Sequence, residues 1–222
     1  MTEPTPADRP TSGPARKPHE FAATRDWPGY FDAVAGSGPR DTLLRALELF
    51  DQPIDPDAPP LAIDLGCGEG RDTQHLIDLG WRVLAIDGHA DAIRRIREVR
   101  RLAEHPRLTL LELPFESVEQ LPACDLLAAS FSLPFCPPEH FARLWSELQA
   151  ALKPGAIFAG QLFGDRDEWA TLPDRAHHTR EAALELLSAF EIDTFNEEER
   201  DGEDASGTPK HWHVFHIVAR KR

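Results

Sequence analysis

Three carboxylates stand where a nucleoside ligand would be gripped. Asp64 and Glu69 lie within the run Ala62-Ile-Asp-Leu-Gly-Cys-Gly-Glu-Gly70, which carries glycines at 66, 68 and 70, and Asp87 closes the run Val83-Leu-Ala-Ile-Asp87. Glycines between a strand and a helix let backbone approach a ligand, and the helix N-terminus offers N–H groups with no intrahelical partner. A G-x-G alone fits several nucleotide folds, but here the spacing is G-x-G-x-G rather than the G-x-G-x-x-G of dinucleotide sites. Carboxylates this close repel a pyrophosphate by about 1 kcal/mol per contact pair even in water. The same carboxylates suit a ligand that is positively charged and free of phosphate. Asp87 sits at the end of its strand, where a carboxylate accepts both hydroxyls of a ribose and disfavours a 2′-phosphate. The bland alternatives are a tight turn with no ligand and, for Asp87, a helix cap.

S-adenosylmethionine meets those demands, because it joins an adenosine to an ammonium and a sulfonium. The binding set read from the loop is Asp64, Gly66, Cys67 and Gly68, with Asp87 on the ribose and Gly88 and His89 beside ribose and adenine.

These residues need a framework, and the chain after residue 60 supplies strand-helix alternation. Strands are expected at Leu61–Leu65, Trp81–Ile86, Leu108–Leu113, Asp125–Ser130 and Ala156–Phe163. Helices are expected at Arg71–Leu79, Ala90–Ala103, Pro138–Leu152 and Glu181–Phe190, the last capped by Thr179. Glu191–Asn196 and Trp212–Ala219 read as a closing strand pair, with the acidic run Glu197–Asp204 a solvated, mobile loop between them. Alternation of this kind predicts an α/β doubly wound, mostly parallel sheet of seven strands, with helices on both faces and an antiparallel C-terminal strand.

Residues 1–20, with Pro4, Pro6, Pro10, Pro14 and Pro18 and few large apolar side chains, are expected to be a disordered tail. Residues 21–60 are expected to form a helical cap and a proline-rich linker, and 61–222 the main domain. A 41% hydrophobic content suffices for one core. The net charge of -14 opposes phosphate backbones, so nucleic acid is not an expected partner. Three cysteines without framework spacing read as reduced thiols in a cytoplasmic protein. No signal peptide or membrane-length apolar run is visible.

Residues 61–163 resemble the class I, Rossmann-like S-adenosylmethionine-dependent methyltransferases. The resemblance rests on Asp64-Leu-Gly-Cys-Gly-Glu-Gly70, Asp87, Asp125-Leu-Leu-Ala-Ala-Ser130 and Leu152-Lys-Pro-Gly-Ala156. More loosely, Gly66–Asp72 with Gly80-Trp-Arg-Val83 is similar to the tellurite-resistance and thiopurine-type small-molecule enzymes. The resemblance implies that Phe115 and Glu116 meet adenine, that Ser130 and Phe131 face the methionine part and the methyl, and that Tyr30, Phe31 and Arg40 lie in a closing N-terminal segment, with Arg40 on the methionine carboxylate. The Pro-Pro-aromatic motif of amino-methylating DNA enzymes is absent after Ser130, and Cys136 follows Phe135 rather than the proline of cytosine-C5 enzymes. A small-molecule acceptor is therefore expected.

Methyl transfer is an in-line displacement in which alignment supplies on the order of 7–11 kcal/mol, and a base is needed only when the acceptor must lose a proton. Candidates for acceptor-site or catalytic work are Tyr30, His211 and His213, the two histidines sharing a strand face with His216 on the other. His177 and His178 are further candidates for the acceptor pocket. No metal site is expected, and the state is expected to be monomer or homodimer. A nicotinamide-dependent oxidoreductase and a non-catalytic S-adenosylmethionine-binding protein remain the alternatives.

Overall fold

The computed structural model describes residues 26–203 and 209–222. The expected proline-rich tail, the start of the expected cap at Phe21, and Asp204 lie outside these residues. Two short helices come first, α1 (Trp27–Val34) and α2 (Asp41–Leu49). Alternation then begins with β1 (Leu61–Leu65), α3 (Arg71–Asp78), β2 (Arg82–Asp87), α4 (Ala90–Glu98) and β3 (Leu108–Glu112). It continues through β4 (Cys124–Ala129), α5 (Pro138–Ala151), β5 (Leu152–Gly164), β6 (His177–His178) and α6 (Arg180–Leu186), and closes on β7 (Phe190–Glu203) and β8 (Pro209–Lys221).

The sheet order is β3-β2-β1-β4-β5-β8-β7, with β6 pairing the end of β5. Strands β1 to β5 run parallel, and β8 enters antiparallel between β5 and β7. The expected seven-stranded path is present, and His177–His178 adds an eighth, two-residue strand where a loop was expected. All five residues of β1 are buried, as an apolar strand covered on both faces requires. One face carries α5 and α6 through Leu144, Trp145, Leu148, Ala183 and Leu187; the other carries α2, α3 and α4 through Leu43, Leu76, Ile93 and Ile96. Chain order reverses on either side of β1, and the carboxyl ends there open a crevice of the kind that binds ligands in open α/β sheets.

Strand β5 starts at Leu152 rather than Ala156 and β8 spans Pro209–Lys221 rather than Trp212–Ala219, and other departures from the sequence expectation have a clear physical cause. Helix α4 stops at Glu98, not Ala103. Continuing it would put Arg100 on the face of Ile93 and Ile96, whereas a turn closed by the Leu102 N–H on the Val99 carbonyl buries Leu102. Helix α6 ends at Leu186, so that Leu187 and Phe190 reach the core. The acidic run is not a loop: Glu197–Glu203 continues β7 against β8, with Glu199 opposite His213 and Asp201 opposite His211. Its repulsion is offset from elsewhere in the chain, since Arg166 reaches Glu197 and Glu199 at 3.0 and 2.7 Å and Arg180 reaches Glu197 at 2.6 Å. His213, then Arg180 and Arg166, hold the Glu197 carboxyl down at about 2.

Candidate active site

The glycine loop crosses from β1 to α3 over the switch point. Gly66 and Cys67 both donate their N–H to the Ile86 carbonyl, which clamps the loop to the end of β2. Gly66 has φ +73°, and a Cβ there would overlap the Ser132 side chain; Gly70 has φ +89°, and a Cβ would sit 2.7 Å from Ile96. These two glycines are required by left-handed backbone and by protein-on-protein packing, rather than by ligand approach. The Gly68 N–H donates to Asp87 Oδ2 at 2.9 Å, and the His89 N–H donates to Asp87 Oδ1 at 2.9 Å. Each carboxylate oxygen keeps a second lone pair for a hydroxyl. Burial pushes the Asp87 carboxyl up, with the two N–H bonds opposing it.

Asp64 is wholly buried at the end of β1 and accepts from Thr73 Oγ1 at 2.6 Å. Burial, and then the neighbouring Asp72, raise its carboxyl to about 8. Asp72, in the first turn of α3, accepts from the Ser130 hydroxyl at 2.6 Å and from the Arg40 N–H at 3.0 Å. It thereby ties the start of α2 to the end of β4. Burial and the surrounding carboxylates keep the Cys67 thiol protonated.

A cavity of about 730 Å³ opens beside this loop, within the size range of small-molecule sites. The structure brings most of the sequence-derived candidates to its wall: Asp64, Gly66, Cys67, Gly68 and Asp87 from the loop side, then Gly88, His89, Phe115 and Glu116, then Ser130 and Phe131, with Tyr30, Phe31 and Arg40 contributed by the N-terminal segment. Phe131 adopts φ +53°, rare for a bulky residue. Its N–H donates to Gln161 Oε1 at 2.9 Å, Gln161 Nε2 donates to Thr42 Oγ1 at 3.0 Å, and the Arg40 guanidinium lies 4.8 Å from the Phe131 ring centre. This chain of contacts joins β5, β4 and α2 across the cavity.

Other candidates stand elsewhere. His211 and His213 share a face of β8, as expected, but it is the face away from the cavity. His213 is fully buried, accepts from the Arg166 N–H at 3.1 Å and places Nε2 3.0 Å from Glu197; His211 pairs with Asp201 at 2.8 Å. Carboxylate partners for these histidines, not visible in the sequence, come from the neighbouring β7. His177 and His178 do not line the cavity; His178 packs on Phe141, and burial lowers it to about 4. The cavity-facing residues of β8 are instead Trp212, Val214 and His216.

Asp72, Ser132, Gln161, Thr42 and the aromatic wall of the cavity apart from Phe131 were not singled out from the sequence. For Gln161 a signal existed: a lone amide inside the apolar strand Ala156–Phe163, which a buried position must satisfy.

Comparison with known proteins agrees with this architecture. Residues 62–155 match the family described as a methyltransferase domain. A trans-aconitate 2-methyltransferase of Azoarcus sp. (strain BH72) is 30% identical over 132 residues, which is 58% of this chain and 46% of the relative. The match thus spans less than half the length of that curated relative. The structure of TehB from Haemophilus influenzae superposes with a TM-score of 0.71 at 18% identity, covering 87% of this chain and 66% of that one. The Burkholderia thailandensis 1,6-didemethyltoxoflavin-N1-methyltransferase, solved with 1,6-didemethyltoxoflavin and S-adenosylhomocysteine, gives 0.64 at 20% identity over 99% of both chains. The segment that carries the glycine loop, Asp87 and strands β1 to β4 is thus similar to a methyltransferase domain, and the mixed, mostly parallel sheet has the Rossmann-like methyltransferase fold.

Proposed function

We propose that the chain is an S-adenosylmethionine-dependent methyltransferase acting on a small-molecule acceptor. The observation that carries this reading is the carboxylate cluster of Asp64, Asp72 and Asp87 at the switch point. Among the described residues its hydrogen-bond partners are hydroxyls and backbone N–H groups, so Asp72 and Asp87 retain negative field for a cationic ligand, with the protonated Asp64 beside them. A dinucleotide's pyrophosphate would meet that field unfavourably, which argues against a nicotinamide enzyme.

Asp87 would accept the ribose hydroxyls on its free lone pairs, with His89, Phe115 and Glu116 around the adenine. Ser130, Phe131 and Arg40 would flank the methionine part, and Asp72 would act on its positive charge through space. The cofactor supplies a methyl group on a cationic sulfur, open to in-line attack. The work left to the chain is to hold donor and acceptor in line and to exclude water. The acidic net charge and the acidic β7 support a small acceptor rather than a nucleic acid. Among the described residues no helix is long and apolar enough to cross a membrane. The free cysteines Cys67, Cys124 and Cys136 support action in the reducing cytoplasm.

Titration calorimetry with S-adenosylhomocysteine, S-adenosylmethionine and NAD tests the donor; binding of the first two and not of NAD is expected, and the reverse pattern overturns the reading. A panel of thiols, amines, carboxylates, phenols, tellurite and selenite, scored for release of S-adenosylhomocysteine, tests turnover against the non-catalytic alternative.

A further inference from the structure

The cavity has a second half that the glycine loop does not build. Away from Asp87 its wall is aromatic, formed by Trp27, Phe131, Phe135, Phe163, Trp169 and Trp212. The rings brace one another: Trp27 meets Phe135 edge-on at 4.7 Å between centres, and Trp169 lies 5.9 Å from both Phe163 and Trp212. Behind them Lys210 is buried, with Nζ 2.6 Å from both oxygens of the buried Asp167 and 3.7 Å from the Trp212 ring centre. Asp167 also accepts the Trp169 N–H at 2.9 Å. Both tryptophans are therefore held from behind by one ion pair.

A histidine is set into this wall beside Phe131. His216 lines the cavity, its ring 6.0 Å from that of Phe131, and its Nε2 donates to Glu198 Oε2 at 3.0 Å. A carboxylate only accepts, so the neutral imidazole carries its proton on Nε2 and keeps the lone pair on Nδ1. Arg200 in turn bonds Glu198, which completes a chain from β8 to β7.

Resting on the methyl-transfer reading, we propose that the acceptor is a flat aromatic or heteroaromatic molecule with an acidic ring-bound O–H or N–H, and that His216, oriented by Glu198, takes that hydrogen. Flat π-systems gain stacking and edge contacts on such a wall that a saturated molecule of equal size does not. Glu198 and Glu203 on the same side oppose an aliphatic polyanion. In turnover the proton passes from the acceptor to His216 Nδ1, and Glu198 stabilises the imidazolium. The acceptor's freed electron pair forms the bond to the methyl carbon as the carbon–sulfur bond breaks. That pair stays on sulfur, leaving neutral S-adenosylhomocysteine, and His216 then returns its proton to water.

Calorimetry on the full chain, with and without saturating S-adenosylhomocysteine, tests this with four probes: 2-naphthol, 2-methoxynaphthalene, decahydro-2-naphthol and citrate. We expect 2-naphthol to bind about tenfold more tightly than its saturated analogue and than citrate. It should also bind about fivefold more tightly than 2-methoxynaphthalene, which has no hydrogen to give. In His216→Phe, and independently in His216→Gln, the naphthol-to-methoxynaphthalene preference should vanish while 2-methoxynaphthalene affinity stays within about twofold. Preference for citrate or for the saturated alcohol overturns the aromatic class, and a preference that survives both His216 variants overturns the role of His216. Failure of S-adenosylhomocysteine to bind the wild-type chain would overturn the donor reading instead, and shows in a separate titration.

Discussion

The two halves of the cavity are made by opposite means. The half beside the glycine loop comes from a nearly continuous stretch, Asp64–Asp72, plus Asp87 one strand away, and it sits at the centre of the sheet. The aromatic half is gathered from α1, the ends of β4 and β5, the short 3₁₀ turns at Leu133–Phe135 and Glu168–Thr171, and β8. The first is a local motif held by backbone hydrogen bonds; the second is a tertiary assembly held by one buried ion pair and ring contacts. If local construction makes the loop half independent of the aromatic half, substitutions should separate the two.

The largest effect is expected behind the aromatic wall. Lys210→Met leaves Asp167 as a buried charge without its ammonium and should cost about 3–5 kcal/mol in denaturant unfolding, much of it recovered in Lys210→Met/Asp167→Leu. A loss under about 1 kcal/mol would remove the brace from the comparison. Gly66→Ala should cost about 3 kcal/mol of stability, since it sets a methyl against Ser132 and strains a left-handed backbone. Were stability unchanged and only S-adenosylhomocysteine affinity lost, the glycine would serve the ligand and not the packing.

Asp87→Ala should lower S-adenosylhomocysteine affinity by about 2–3 kcal/mol, on the order of 100-fold by calorimetry, with 2-naphthol binding nearly unchanged. Equal loss of both would mean that the halves are coupled. A pH-dependent effect belongs to Asp64. The folded chain holds its proton up to about 8, whereas the unfolded chain loses it near 3.8, so the native state binds more protons between those values. Stability therefore falls as pH rises through this window, and Asp64→Asn should gain on the wild type in melting temperature from pH 5 to pH 8. A constant difference across that range would show that Asp64 titrates normally. Smallest of all, His211→Ala should change stability by no more than about 0.5 kcal/mol and leave both titrations alone, because its face of β8 turns from the cavity.

The contrast also explains what was legible in the sequence. The glycine loop, Asp87 and the strand alternation are short-range patterns, and the residues read from them reach one wall. The working face of β8 was not legible. The strand lies between β5 and β7 and is covered on both sides, so Trp212-Val214-His216 and His211-His213-Phe215 carry equally mixed chemistry. The paired histidines at 211 and 213 looked purposeful, yet their partners are β7 carboxylates across the ladder. The acidic run looked solvated because the arginines that offset it, Arg166 and Arg180, lie in other segments. The link from Phe131 through Gln161 to Thr42 spans contacts distant in sequence, which no local pattern reports.

The hairpin of β7 and β8 has a consequence for how this molecule can be altered. It is a single antiparallel unit at one margin of the sheet, joined to the rest along β5, and it brings Trp212, Val214, His216, Glu198 and Arg200 to the cavity in one piece. Replacing inward-facing rungs of that ladder rewrites the lock while the key-holder at β1 and β2 is untouched. The hairpin is thus a natural cassette for grafting or library design, in which selectivity can be varied over a fixed engine.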